Sequence, residues 1–374
     1  MRTAHIYLIP GFFGFSDIGG ITYFHHVTEF LRARLERRGI HAIVRGVATL
    51  PTSSIEKRAA RLFDVIAEDD PQGEIHLVGH STGGLDARVF TTPEISLPNV
   101  DATRHAEYAS RVVSVTTVCS PHRGTPMANF FDSVSGGHLL YLLTLTTIYT
   151  LQFGKLPIGA VIALGGVLVR LDDVVGLDNT IFDQIYDLLL DDFDKERQEK
   201  IRSFLKLILE DRTLIRQLRP ELMDELNART PNRPGVRYGS VVLRAATPGW
   251  ETTRSIGLRP YDQATHMLYR AVQFLSVLHF EDPRLAEEHD DALTLAYGFR
   301  PSTLDSDGIV PTLSHPWGEI LWTGWGDHLD VCGHFDDSSR KPPHVDWLKS
   351  ASAFNRHDFE SLWAAVGDFV GQSS

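Results

Sequence analysis

The apolar positions of this chain follow two periods that alternate along it. Short runs with β-branched members at 4–9, 41–47, 74–78, 111–118, 236–244 and 319–323 read as strands. Between them lie stretches with the spacing of an amphipathic helix. The first covers 22–38, with Phe24, Val27, Phe30, Leu31 and Leu35 on one face and Arg or Glu on the other, and Gly39 stops it. Ser53-Ser54-Ile55-Glu56 opens a second that runs to about Ala67, residues 84–90 give a third, and 261–280 and 358–369 follow later. Strands that alternate with helices in this way predict an α/β fold, a mostly parallel sheet covered by helices on both faces.

Residues 133–169 break the alternation, because they carry no full charge except Lys155. They split at Gly154-Lys155-Leu156-Pro157 into 139–153 and 156–169, each short of the roughly 20 apolar residues that cross a bilayer, so no transmembrane segment is expected. A pair of helices roofing the sheet is expected instead, inserted between its sixth and seventh strands, the alternative being a pair buried permanently in the core. From 171 to 227 the spacing turns amphipathic, with an acidic flank (Asp183, Asp187, Asp191, Asp192, Asp194) that reads as a solvated face. The expected organisation is a core of 1–132 and 231–374 interrupted by a helical cap at 133–230.

With 374 residues the chain can bury a large core, and its formal charge of −12 argues against a nucleic-acid surface or an anionic membrane face as its partner. Two cysteines, Cys119 and Cys332, cannot staple a chain of this length, and no clustered Cys/His spacing suggests structural zinc. The first strand begins near Ala4, which leaves no room for a signal peptide. The expectation is a chain that stays inside the cell, where the two thiols remain unpaired, or one whose leader has been removed.

The chemistry gathers at strand ends. Gly79-His80-Ser81-Thr82-Gly83 joins the 74–78 strand to the 84–90 helix, and G-x-S-x-G in that setting is a nucleophile elbow whose sharp turn lifts a serine hydroxyl clear of the sheet. Ser81 is the expected nucleophile. The loop Pro10-Gly11-Phe12-Phe13-Gly14 after the first strand suits an oxyanion hole, with the backbone N–H of Phe12 as one donor and that of Thr82, the residue after the nucleophile, as the other. Phe12, Phe13 and Phe15 are candidates for lining an acyl pocket. Later come Asp305-Ser306-Asp307-Gly308, an acid on a tight turn, and Gly326-Asp327-His328 behind the last strand, so that Ser81, Asp307 and His328 stand in the order Ser, Asp, His. Asp305 competes with Asp307 for the role of acid. His122 competes with His328 as base, but no acid lies between it and Ser81 at a suitable strand end, and it is expected to be a structural histidine.

Pro10-Gly11-Phe12-Phe13-Gly14-Phe15-Ser16-Asp17, Gly79 to Gly84, Thr116-Thr117-Val118 with Pro121-His122-Arg123-Gly124, Ser306-Asp307-Gly308-Ile309-Val310 and His328-Leu329-Asp330 together resemble the bacterial true lipases of the α/β-hydrolase superfamily. The resemblance covers roughly the first 130 residues and the last 150. It implies an α/β-hydrolase fold with a lid, and hydrolysis of lipid or other apolar esters at a lipid–water interface through Ser81, Asp307 and His328, with no cofactor required. It also implies a structural calcium ion held by Asp330, although the family's glutamine four residues further on is His334 here, and its His-Gly oxyanion loop begins Pro10-Gly11. Residues 133–216 match nothing in that family. Acyl transfer or polyester depolymerisation on the same triad, and a lipid-binding protein that keeps the fold without turnover, remain as alternatives. If the cap moves, Leu142→Asp or Val167→Asp should weaken the rise of activity at an interface.

Overall fold

The chain enters its main sheet at β1 (Arg2–Ile9), forms a short antiparallel pair β2 (Asp17–Ile18) and β3 (Ile21–Thr22), and returns at β4 (Ile40–Gly46). It then adds β5 (Glu74–His80), β6 (Val112–Val118), β7 (Arg237–Arg244) and β8 (Glu319–Trp325). This is a computed structural model, and it describes residues 2–12, 14, 17–18, 21–169, 179–346 and 348–372. The six sheet strands run in the order β4-β1-β5-β6-β7-β8 and every neighbouring pair is parallel. β5 is covered on both faces and buried from Ile75 to His80, which is why it reads as a continuous apolar run. β4 is an edge strand, and its buried Ala42 and Val44 alternate with exposed His41 and Ile43.

Fifteen helices are assigned among the described residues: α1 (Val27–Glu36), α2 (Ile55–Asp69), α3 (Thr82–Phe90), α4 (Ala102–Ser110), α5 (Met127–Phe131), α6 (Val134–Phe153), α7 (Ile158–Val169), α8 (Asn179–Leu190), α9 (Lys195–Glu210), α10 (Thr213–Gln217), α11 (Pro220–Arg229), α12 (Trp250–Ser255), α13 (Pro260–Val277), α14 (Glu287–Tyr297) and α15 (Arg356–Val370). The helix expected from residue 22 starts only at Val27, because Thr22 is in β3 and His26 has φ 63°, a left-handed turn outside the helical region. α4, α5, α12 and α14 were not expected. α14 buries only Leu293, so its apolar stripe is too thin to announce a helix.

The chain leaves the sheet after β6, the fourth of its six strands in chain order, and comes back at β7, the fifth. The expected insertion point, between a sixth and a seventh strand, presumes two strands that this sheet lacks among the described residues. α6 is longer than the sequence suggested. The Ser133 hydroxyl accepts from Gly136 N–H at 3.0 Å, and Gly154, at φ 76°, ends the helix about 30 Å later. Its threonines explain how a helix with so many hydroxyls is buried: Thr144, Thr146, Thr147 and Thr150 each donate to the carbonyl four residues back, at 2.7–2.9 Å. No described helix is long and apolar enough to cross a membrane. The expected amphipathic stretch from 171 resolves into α8 to α11, with 171–178 outside the described residues.

Candidate active site

In an open parallel sheet the carboxyl ends of strands flanking a reversal of strand order form a ready crevice. Here the reversal falls at β1, which lies between β4 and β5, so the loop after β1 and the turn after β5 share one end of the sheet. Ser81 occupies that turn with φ 54° and ψ −128°, a conformation that L-residues rarely adopt and that costs about 1–3 kcal/mol. The glycines around it make the turn sterically feasible. A Cβ on Gly79 would lie 2.2 Å from the carbonyl carbon of Gly83, and one on Gly83 would lie 2.3 Å from the carbonyl oxygen of Ile9. Thr82 is the first residue of α3, where backbone N–H groups have no intrahelical acceptor and face the Ser81 end of the helix.

Asp307 and His328 meet. His328 Nδ1 lies 2.5 Å from Asp307 Oδ2, and the backbone N–H of His328 donates to the carbonyl of Asp307 at 2.9 Å. The other carboxylate oxygen, Oδ1, accepts from the N–H groups of Ile309 and Val310 at 2.9 and 2.8 Å, so the Asp-Gly turn itself orients the acid. Burial works to raise the Asp307 carboxyl, but the imidazoles of His328 and His315 outweigh it and hold the group well below the usual carboxylate range. His315 stands 3.3 Å from Oδ2, with its Nδ1 accepting from Leu243 N–H. Asp305, the rival acid, faces away from the histidine. It pairs with Arg244 at 2.6 Å and accepts from Ser302 N–H at 2.7 Å, which braces the loop against the end of β7.

Ser81, Thr82, Phe12 and His328 line one cavity, closed by Tyr23, Pro121, Met127 and Phe131 from the core and by Leu140, Leu143 and Thr147 from α6. Two of its hydroxyls are engaged by the backbone: Thr147 donates to the carbonyl of Leu143 and Thr125 to that of Ile309. The result is an apolar chamber with the serine and histidine at one side. Phe13 and Phe15 lie outside the described residues. His122 is elsewhere, buried against Arg88 and Thr117 at 3.0 and 3.1 Å, with the Arg88 guanidinium stacked over Trp317. Leu142 and Val167 are buried, whereas Ile158 and Ile162 of α7 are exposed, Ile162 to 63%. The two cysteines are buried free thiols.

The calcium expectation names Asp330. His334 Nε2 bonds the carbonyl of Tyr23 at 2.7 Å, which places it in a packing contact. Asp330 instead gathers with Asp327 and Asp346, carboxylate oxygens all within 4.8 Å of one another. Burial first, and then the neighbouring negative charges, push all three carboxyls up, and Asp327 Oδ2 is buried with no hydrogen-bond partner. Three carboxyl groups whose oxygens can reach one ion suit a hard divalent cation.

A group the sequence reading missed is Arg58. It is fully buried, pairs with Asp86, and reaches the carbonyls of Pro10 and Gly11 at 2.9 and 3.1 Å, so it clamps the loop after β1. The signal was present: a cation on the apolar face of α2, beside Ile55, Ala59 and Leu62, has to find a buried acceptor. Burial pushes the Asp86 carboxyl up to about 6 despite its partner, so desolvation consumes much of the pair's attraction.

No family model matches the chain, and no curated protein matches its sequence. Solved structures do. Lipase 1 from Pelosinus fermentans superposes over 100% of both chains with a TM-score of 0.52 at 16% identity. EstA from Clostridium botulinum aligns over 95% of this chain and 87% of its own (TM-score 0.48, 18% identity), and the Staphylococcus hyicus lipase over 98% and 95% (TM-score 0.49, 14% identity). The Pelosinus likeness and the six-stranded parallel sheet show an α/β-hydrolase fold.

Proposed function

We propose that this protein is a serine carboxylic-ester hydrolase acting on esters of apolar acids, a lipase or esterase. One observation carries the reading: His328, held from behind by a buried Asp307, lines the same apolar chamber as a serine on a strained elbow. Ser81 Oγ attacks the ester carbonyl while His328 takes the hydroxyl proton and then hands it to the leaving alcohol; water repeats the cycle on the acyl-enzyme. Asp307 holds the imidazole with its Nδ1 proton inward and balances the charge that forms. The N–H groups of Thr82 and Phe12 stabilise the oxyanion in both half-reactions. A chamber walled mainly by apolar side chains favours acyl chains without polar substituents, because a hydroxyl buried among them would lose its hydrogen bonds to water.

In this reading α6 and α7 form a cap whose exposed Ile158 and Ile162 meet a lipid surface. The test is a series of p-nitrophenyl acetate, butyrate, octanoate and palmitate, each run below and above its solubility limit. Longer chains should be preferred to acetate, and activity should climb more steeply once substrate aggregates. Ile162→Asp should reduce the ratio of activity above the limit to that below it. No ester turnover in the whole series would overturn the reading. An equal ratio in wild type and variant would leave an esterase without a lipid-facing cap, and product analysis with added alcohol separates hydrolysis from acyl transfer.

Calcium is the cation we propose for Asp327, Asp330 and Asp346, where it would tie the loop of His328 to the segment around Asp346. At a concentration one hundred times its dissociation constant it should add about 2.7 kcal/mol, or about 3 °C in melting temperature for a chain of this size, relative to EDTA. Asp346→Asn should abolish the difference, and a wild-type melting curve indifferent to calcium would remove the site.

A further inference from the structure

We infer that Tyr23 and His80 form a positioning pair that locks the oxyanion loop and the loop of the catalytic histidine into one register. The inference rests on the hydrolase reading above. Its basis is an unbroken run of hydrogen bonds: Gly11 N–H to Tyr23 Oη at 3.1 Å, Tyr23 Oη to His80 Nδ1 at 2.7 Å, and His80 Nε2 to the carbonyl of His328 at 2.9 Å.

The direction of every proton in that run is determined. A carbonyl only accepts, so His80 Nε2 carries hydrogen and donates to His328. Burial keeps the His80 ring neutral, so Nδ1 presents a lone pair, which the Tyr23 hydroxyl fills by donating. The tyrosine oxygen then accepts from Gly11. Because His80 is the residue before Ser81, the same side chain that reaches the histidine loop is anchored beside the nucleophile.

At one end the run completes the hold on Gly11. Its N–H is taken by Tyr23, and its carbonyl accepts from Arg58 at 3.1 Å and from Gly14 N–H at 3.0 Å. Across a planar trans peptide the N–H points opposite to the carbonyl, so the Phe12 N–H is fixed away from Arg58. Gly11 itself presses on the nucleophile, since a Cβ built there would fall 2.6 Å from Ser81 Cβ and 3.2 Å from Oγ. At the other end the run completes the hold on His328, whose N–H goes to Asp307, whose carbonyl goes to His80 and whose Nδ1 meets Asp307. The oxyanion donor and the imidazole approach the same reacting carbonyl from two loops far apart in sequence. Tyr23 and His80 tie those loops to each other directly beside the nucleophile.

The experiment compares Tyr23→Phe, His80→Gln and the double variant with wild type, reading kcat and KM for p-nitrophenyl butyrate, phosphonylation of Ser81 by a p-nitrophenyl alkylphosphonate, and thermal unfolding. Tyr23→Phe keeps the ring and removes only the bridging hydroxyl, so it stays informative if His80→Gln does not fold. Loss of one positioning hydrogen bond should lower kcat by about tenfold or more, with KM changed less than about twofold and the phosphonylation rate falling in parallel. If the run acts as one unit, the double variant should be no worse than the poorer single by more than about twofold. Wild-type kcat in Tyr23→Phe, or a loss confined to KM or to melting temperature, overturns the pair while leaving the hydrolase reading intact. A wild type that neither turns over the ester nor takes the phosphonate on Ser81 overturns both together.

Discussion

Ser81→Ala is expected to lower kcat for p-nitrophenyl butyrate by roughly 10⁶, to a level set by the oxyanion donors and binding alone. The size follows from what the hydroxyl does: without it no acyl-enzyme forms, and neither Asp307 nor His328 has a proton transfer to assist. The loss should be chemical rather than structural. Alanine meets the same constraint at φ 54° that serine meets, and Ser81 sits at the helix N-terminus without a side-chain capping bond, so removal of the hydroxyl takes no bond from α3. Melting temperature should therefore change little, and stoichiometric phosphonate labelling should vanish. Turnover within a factor of about ten of wild type would show that the nucleophile lies elsewhere.

The parts of this molecule that a sequence reader can see are those encoded by neighbours. β5 is a continuous apolar run because both of its faces are covered, and the elbow after it needs glycines where a Cβ would strike backbone, so strand, turn and serine could be read together. The Asp307 turn was legible for the same reason, since its carboxylate is held by the N–H groups two and three residues later. The Asp-Gly turn favoured Asp307 over Asp305 from the sequence, whereas their distant partners, His328 for Asp307 and Arg244 for Asp305, appear only in the fold. Tyr23, Arg58, His80 and His315 act through contacts made by chain closure, and nothing near them in sequence announces which carbonyl or carboxylate they will meet. His80 is 248 residues from the carbonyl that it bonds. The acidic trio was half visible: Asp330 has the expected spacing from His328, but Asp346 comes from a separate loop and Asp327 from the other side of the histidine. Periodicity failed where exposure thinned it, as in α14, and where a local backbone feature overrode it, as at His26.

Asp307→Asn should lower kcat by about 10⁴ with a folded protein remaining, because the amide can present its NH₂ to His328 and favour the tautomer that cannot accept the serine proton. Asp305→Asn should behave in the opposite way. Its carboxylate neutralises Arg244, whose side chain is only 10% exposed, so the substitution leaves a nearly buried guanidinium unbalanced at a cost of roughly 3–5 kcal/mol, seen as a lower urea midpoint. The folded fraction of that variant should keep kcat within about threefold, since Asp305 touches neither His328 nor Ser81. The two substitutions are chemically identical and two residues apart, so the split between a kinetic and a thermodynamic defect isolates the role of each carboxylate. A crippled Asp305→Asn beside a nearly active Asp307→Asn would transfer the role of acid to Asp305, and would require the His328 ring to leave a partner that it meets at 2.5 Å.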